Sequence, residues 1–404
     1  GMRGILIVKK KLIRLMKKTG MVERSLRTMM RIFTLFPVRK NRVMFESFLG
    51  KQHNDSPRAI YDELKKMNAG LELIISKQRG VSITDEHVTS VNRMTIKWIF
   101  LLATSRVWVS NSRLPSWLVK RKGTLYYQTW HGTPLKKLAL DMTDVRMANT
   151  STDRYKKDFI RESAKWDVLL SPNAYSSKIF KRAFGYEGKM LEIGYPRNDV
   201  LYQNEKHESI VERVKAHYQI ESDKKIILYA PTWRDDDYAE QGNYSFTLPF
   251  SIERFDEEFG DEYTMLVRLH YLVGNQLDLS AVSAIKNASR YPEISELYLA
   301  ADILVTDYSS VMFDYAHLKR PMLFYTYDLK HYRDHLRGFY FSFEKEAPGP
   351  LIQDEQLLFE EIKQIDSWER RFNLKSEAFR HHYCEWDDGH AAKRAAMDIL
   401  ENIK

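Results

Sequence analysis

The run Thr124-Leu125-Tyr126-Tyr127-Gln128-Thr129-Trp130-His131-Gly132-Thr133-Pro134 decides the fold class. Threonine, leucine and tyrosine take every position of 124–129 but Gln128, and that composition reads as a short buried strand. Gly132 lets the backbone turn sharply, Thr133 is of the helix-capping type, and Pro134 suits a first helical turn. The run therefore reads as strand, tight turn and helix start. The stretch Asp302-Ile303-Leu304-Val305-Thr306-Asp307-Tyr308-Ser309-Ser310 has the same form, with a helix expected over 310–318.

Outward from these two runs, short β-rich segments alternate with helical ones. Strands are expected at Val43–Ser47, Leu71–Ser76, Val107–Ser110, Thr124–Thr129, Val168–Leu170 and Met190–Ile193. A second series follows at Lys225–Ala230, Thr264–Leu269, Ile303–Thr306 and Met322–Tyr325. Helices are expected at 56–67, 91–104, 153–163, 176–184, 207–218, 251–259, 294–300, 310–318, 355–365 and 389–402. Such alternation means βαβ units and parallel sheets. Two series imply an α/β protein with two doubly wound, Rossmann-like domains facing across a cleft. The expected division is a leader at 1–42, one domain at 43–204 and a second at 205–404 whose final helix packs back. The length of 404 residues agrees, being too great for one ordinary core.

The lone cysteine, Cys384, excludes a disulfide framework and points to a reducing compartment. The longest apolar run, Trp98–Ala103, is far short of the roughly 20 residues of a membrane-spanning helix. The net charge is +9, yet residues 1–42 hold thirteen Lys or Arg and one acid, a sum of +12. The remainder therefore carries −3, which argues against a nucleic-acid-binding body. In the leader, Ile5, Val8, Leu12 and Leu15 recur at helical steps, and Val22, Leu26, Met29, Phe33 and Phe36 resume the pattern after Gly20. Lys9, Lys10, Lys11, Arg14, Lys17 and Lys18 lie mostly off that line. Two basic amphipathic helices suit an anionic membrane surface; the competing expectation is that the apolar face packs on the domain.

Ligands of open α/β sheets bind beyond the carboxyl ends of the strands, so the candidate residues are those that follow each strand. His131 stands at such an end, where an imidazole can work as a base near neutral pH; a turn histidine bonded to backbone is the plain alternative. Thr306, Asp307, Ser309 and Ser310 lead into a helix start that can hold phosphate, and Asp314, about one turn on, could accept ribose hydroxyls. Arg268 and His270 end one strand and Arg234 follows another; His270 and Arg234 could neutralise phosphate charge. Asp235–Asp237 read as a solvated loop, not a metal site. Arg197 and Asp199, after the last strand of the first series, either face the cleft with Thr133 or turn the chain into the linker.

Taken together, Gln-Thr-Trp-His-Gly-Thr-Pro-Leu-Lys (128–136), Gly-Tyr-Pro-Arg-Asn-Asp (194–199), Tyr-Ala-Pro-Thr-Trp-Arg (229–234), Arg-Leu-His-Tyr (268–271), Thr-Asp-Tyr-Ser-Ser (306–310) and Asp-Gly (388–389) closely resemble the CDP-glycerol glycerophosphotransferase family of teichoic acid synthesis. The motifs span about residues 43–400 in order. The resemblance implies a GT-B-like fold, a CDP-polyol donor held mainly by the second domain, and peripheral attachment to the cytoplasmic face of a bacterial membrane. It places the family's two functional histidines on His131 and His270 and its donor diphosphate site on Thr306–Ser310. The implied reaction moves glycerol phosphate from CDP-glycerol to a hydroxyl of a lipid-linked teichoic acid primer or chain, with no metal or further cofactor required. The alternatives are a CDP-ribitol enzyme, a glycosyltransferase with another nucleotide donor, and a non-catalytic membrane scaffold.

Overall fold

A computed structural model describes residues 2–85, 87–143, 151–232, 247–336 and 338–404. The first sheet holds seven parallel strands: β1 (Arg39–Glu46), β2 (Glu72–Lys77), β3 (Thr89–Asn92), β4 (Ser105–Ser110), β5 (Leu125–Gln128), β6 (Val168–Ser171) and β7 (Lys189–Glu192). Their order is β3-β2-β1-β4-β5-β6-β7. The second sheet holds β8 (Lys225–Tyr229), β9 (Tyr263–Val267), β10 (Ile285–Asn287), β11 (Ile303–Thr306), β12 (Met322–Tyr325) and β13 (Leu351–Ile352), in the order β10-β9-β8-β11-β12-β13. Every pairing within both sheets is parallel. The expected GT-B-like class, two doubly wound α/β sheets, is the observed one.

The strands read as nearly continuous apolar runs because both faces of each sheet are covered. In the second sheet Ile226, Leu228 and Leu304 enter one core, while Ile227, Tyr229, Ile303 and Val305 enter the other. In the first, Met44, Trp108 and Tyr126 face one core, while Val43, Phe45, Val107, Val109 and Tyr127 face its opposite. Side-chain oxygens at Thr95, Ser151, Asn173, Ser251 and Asp354 cap helix starts that follow in sequence.

All ten expected strands are present. The sequence reading missed β3, β10 and β13, edge strands of two to four residues with little pattern to read. It also ran one helix over 91–104, where Val91 and Asn92 end β3 and the helix occupies Ile96–Ala103 after the Thr95 cap. The helix Trp368–Tyr383 was missed because most of its surface faces solvent and its apolar period is weak. The last helix, Ala391–Asn402, returns to the first sheet, where Ala395, Ala396 and Ile399 are buried against its core.

The two leader helices, Met2–Thr19 and Met21–Phe33, behave differently. Ile5, Val8, Leu12 and Leu15 are more than half exposed. In the second helix Met30 is fully buried, and Leu26, Met29 and Phe33 pack on the core beside the helix Ile96–Ala103. Phe33 meets Phe100 edge-on at 5.4 Å, and Arg27 donates to the Ser116 carbonyl at 3.3 Å. The middle of the second apolar stripe is thus covered by the protein itself, while Phe36 at its end stays half exposed. No helix of the described residues is long and apolar enough to cross a membrane.

Candidate active site

The carboxyl ends of the two sheets meet at a cavity of about 250 Å³. Trp130, His131, Thr133 and Lys136 line it from the first sheet, and Thr232, Tyr308, Ser309 and Ser310 from the second. Backbone at Trp130 is left-handed, with φ 53°, and Gly132 adopts φ 153°, a value that side chains resist. These two turns aim the imidazole between them out of the strand and into the cleft.

His131 is crowded by protein on most sides yet keeps an exposed edge, and it stacks on Trp130 at 4.6 Å. Its Nδ1 lies 2.7 Å from the Asn111 carbonyl. A carbonyl only accepts, so Nδ1 carries the hydrogen and Nε2 keeps its lone pair. Crowding is the largest influence on its pKa and lowers it. The bond to Asn111 and the Asp55 carboxylate act in the opposite direction, and Arg197 adds to the lowering. The imidazole is therefore neutral over a wider pH range than usual, with its base nitrogen available.

Asn111, which directly follows β4, organises this corner. Its side-chain oxygen accepts from Phe48 N–H at 2.8 Å and its amide donates to Asp55 at 3.2 Å. Asp55 in turn pairs with Arg197 at 3.2 Å. Arg197 continues to Asp314 with two bonds, 2.8 and 3.0 Å, and donates to the His131 carbonyl at 3.0 Å. Burial disfavours the Arg197 charge, but Asp314 and Asp55 more than offset this and hold its pKa well above the ordinary value. This buried network runs from the histidine turn across to the second sheet's helix Val311–Tyr315. Neither Asn111 nor Asp55 was singled out from sequence, although Asn111 satisfies the rule of looking just past each strand.

Several expected ligand-binding side chains are engaged inside the protein. Thr306 donates to the Ala230 carbonyl at 2.7 Å, and Asp307 accepts from the Thr232 amide and hydroxyl at 2.8 and 2.6 Å. These bonds tie the end of β11 to the end of β8. Arg268 holds the carbonyls of Ala288 and Tyr291 at 3.1 and 2.7 Å. Asp314, expected at a ribose, places its oxygens on Arg197 and Asn198. Asp199 accepts from the amides of Ala391 and Ala392 and caps the last helix, and burial raises its pKa to about 6. Thr133 accepts from Asn173 at 3.3 Å. No helix follows it; Leu135 and Lys137 instead exchange backbone bonds with Tyr340 and Gly338, which holds this segment extended. Ser309 and Ser310 do line the cavity, but the helix they lead into is only five residues long. His270 is exposed at the carboxyl end of β9. Arg234 and Asp235–Asp237 lie outside the described residues.

The family model for CDP-glycerol:poly(glycerophosphate) glycerophosphotransferase matches residues 28–401. The teichoic acid poly(glycerol phosphate) polymerase of Bacillus subtilis (strain 168) is 42% identical over 401 residues, which cover 97% of this chain and 54% of that protein. The chain thus spans about half the length of that relative. The teichoic acid glycerol-phosphate transferase of Staphylococcus aureus is 42% identical over 384 residues, covering 94% of this chain and 98% of that one. Among solved structures, the wall teichoic acid polymerase TagF superposes with a TM-score of 0.89 at 39% identity, covering 98% of each chain; a variant of it has been soaked with CDPG.

Proposed function

We propose, because the chain belongs to the CDP-glycerol:poly(glycerophosphate) glycerophosphotransferase family, that it transfers glycerol phosphate from CDP-glycerol to a hydroxyl of a teichoic acid primer or chain. The observation that carries this reading is a shared cavity that brings His131 to Ser309 and Ser310. The acceptor oxygen attacks the phosphorus that bears glycerol. A new P–O bond forms, the bond from that phosphorus to the bridging oxygen breaks, and CMP leaves with that oxygen. The hydroxyl proton passes to Nε2 of His131. Phosphoryl transfer asks mainly for positioning and charge stabilisation; Ser309 and Ser310, with His270 after β9, are the groups assigned to the donor phosphates, and the sequence adds Arg234 to them.

The test is to incubate the protein with CDP-glycerol or CDP-ribitol and a lipid-linked primer, then weigh the products. Release of CMP with glycerol phosphate added is expected, and the mass also counts the units added. Growth with CDP-ribitol alone would move the reading to a ribitol enzyme, and no CMP from either donor would overturn it. A glycosyltransferase would instead be stabilised against heat by a UDP-sugar and not by CDP-glycerol.

The exposed helix Met2–Thr19 supports peripheral attachment at the cytoplasmic face of the membrane, where a lipid-linked acceptor resides. Its basic residues attract an anionic surface, while Ile5, Val8, Leu12 and Leu15 enter it. Deleting Met2–Lys18 is expected to release the protein from anionic vesicles in a flotation assay. It should leave turnover on a short soluble acceptor intact. Equal flotation with and without the segment would reject the attachment.

A further inference from the structure

A second cavity, of about 560 Å³, opens from the other side of His131 and lies wholly within the first sheet's half. Arg113, Trp130, Tyr155 and Phe159 are among its lining residues. The Arg113 guanidinium lies 4.6 Å from the centre of the Phe159 ring and 5.1 Å from that of Tyr155. The guanidinium thus sits against two rings, and it makes no ion pair or hydrogen bond with the described residues. The other charged groups of the cavity are differently placed. Arg93 is neutralised by Glu46 at 3.0 Å. Glu162 is buried and accepts from Leu114 N–H, Tyr126 and Trp166, with Lys165 at 3.8 Å. Asp158 faces Arg161 at 3.9 Å on the exposed side of its helix. Arg113 is thus a held cation with its planar donor fork unspent.

The cavity also has a direction. Pro115 and Ser116 form part of its wall, and the Ser116 carbonyl accepts from Arg27 of the second leader helix and from Lys165. One end therefore lies beside the leader, and His131 stands at another. We infer that this cavity receives the acceptor, and that Arg113 binds a phosphodiester of the acceptor chain so that the chain's terminal hydroxyl reaches His131. The inference rests on the transfer reaction proposed above. A planar guanidinium suits a phosphate's paired oxygens, and a cation held on aromatic rings loses little freedom in binding one.

The experiment uses the full chain and a soluble oligomer of glycerol 3-phosphate. Arg113→Gln is expected to raise the KM for the oligomer about ten- to a hundredfold, as loss of a charge-assisted contact does. The KM for CDP-glycerol and the melting temperature should stay near wild type. Calorimetry without donor should show the oligomer binding wild type and weakening in Arg113→Gln, with Arg113→Lys between the two. If Arg113→Gln fails to fold, Arg113→Lys and the salt dependence of wild-type oligomer binding carry the test. An unchanged oligomer KM and affinity in the variants would overturn the inference while leaving the transfer reaction intact. Oligomer binding without any CMP release would instead overturn the transfer reading. A phosphate of the lipid surface is the other source of this chemistry. Loss of vesicle flotation in Arg113→Gln, with oligomer binding kept, would assign the residue to the headgroup and reject the acceptor role.

Discussion

The two strand-end turns at the cleft, after β5 and after β11, look alike in sequence but differ in what they present. The first is strained, with Trp130 at φ 53° and Gly132 at φ 153°, and it runs into an extended segment. It delivers a side chain, the His131 imidazole, with one nitrogen fixed by Asn111. The second shows no left-handed residue from Thr306 to Ser310 and turns Thr306 and Asp307 inward to tie two strands together. What it offers the cavity is the small, polar end Ser309–Ser310. On the proposed reaction, strain falls where a group must be aimed to move a proton, and a relaxed turn where a charge must be held.

This contrast can be broken at four points. The largest effect is expected from His131→Ala. Loss of the base should cut kcat by about 10²–10⁴, while CDP-glycerol affinity, assigned to the opposite turn, stays near normal. Near-normal CMP release would remove the base role. Next, Ser310→Asp should weaken CDP-glycerol binding about tenfold or more by setting a carboxylate against the diphosphate. Unchanged calorimetric affinity would move the donor site elsewhere.

A third, smaller effect tests the strain itself. Gly132→Val should destabilise the fold by about 1–3 kcal/mol in denaturant melts, because φ 153° suits glycine. Ser309→Ala on the relaxed turn should cost much less, and equal costs would erase the contrast. The smallest effect concerns pH. Crowding lowers the pKa of His131, so the neutral base persists below the ordinary histidine value of about 6.5, and the acidic limb of kcat/KM should fall beneath it. Asp55 opposes that shift, so Asp55→Asn should move the limb lower still. Movement to higher pH would show that Asp55 acts on the rate by another route.

Much of this was legible in the residues themselves. Continuous apolar runs such as Ile226–Tyr229 and Ile303–Val305 fill both faces of a buried parallel sheet, so composition alone marks them as strands. Turn chemistry placed His131 and Ser309–Ser310 at strand ends. The leader's period foretold two helices, because 3.6-residue spacing is a local property. Which apolar stripe would be covered took the tertiary structure to decide: Leu26 and Met29 pack on the core beside the Ile96–Ala103 helix, while Ile5 and Val8 stay more than half exposed.

The sequence by itself thus determined the fold class, the strand ends and the residue types gathered there, since each depends on neighbours within a few positions. Only the tertiary structure decided what each of those side chains does. Asp314 became the partner of Arg197, more than a hundred residues away, and Asp199 the cap of a helix that begins at Ala391. Asn111, unremarked in the chain, set the tautomer of His131. A buried polar group bonds whatever packing brings within about 3 Å, and an unmet bond there is costly. Distance along the chain carries no information about which partner that will be.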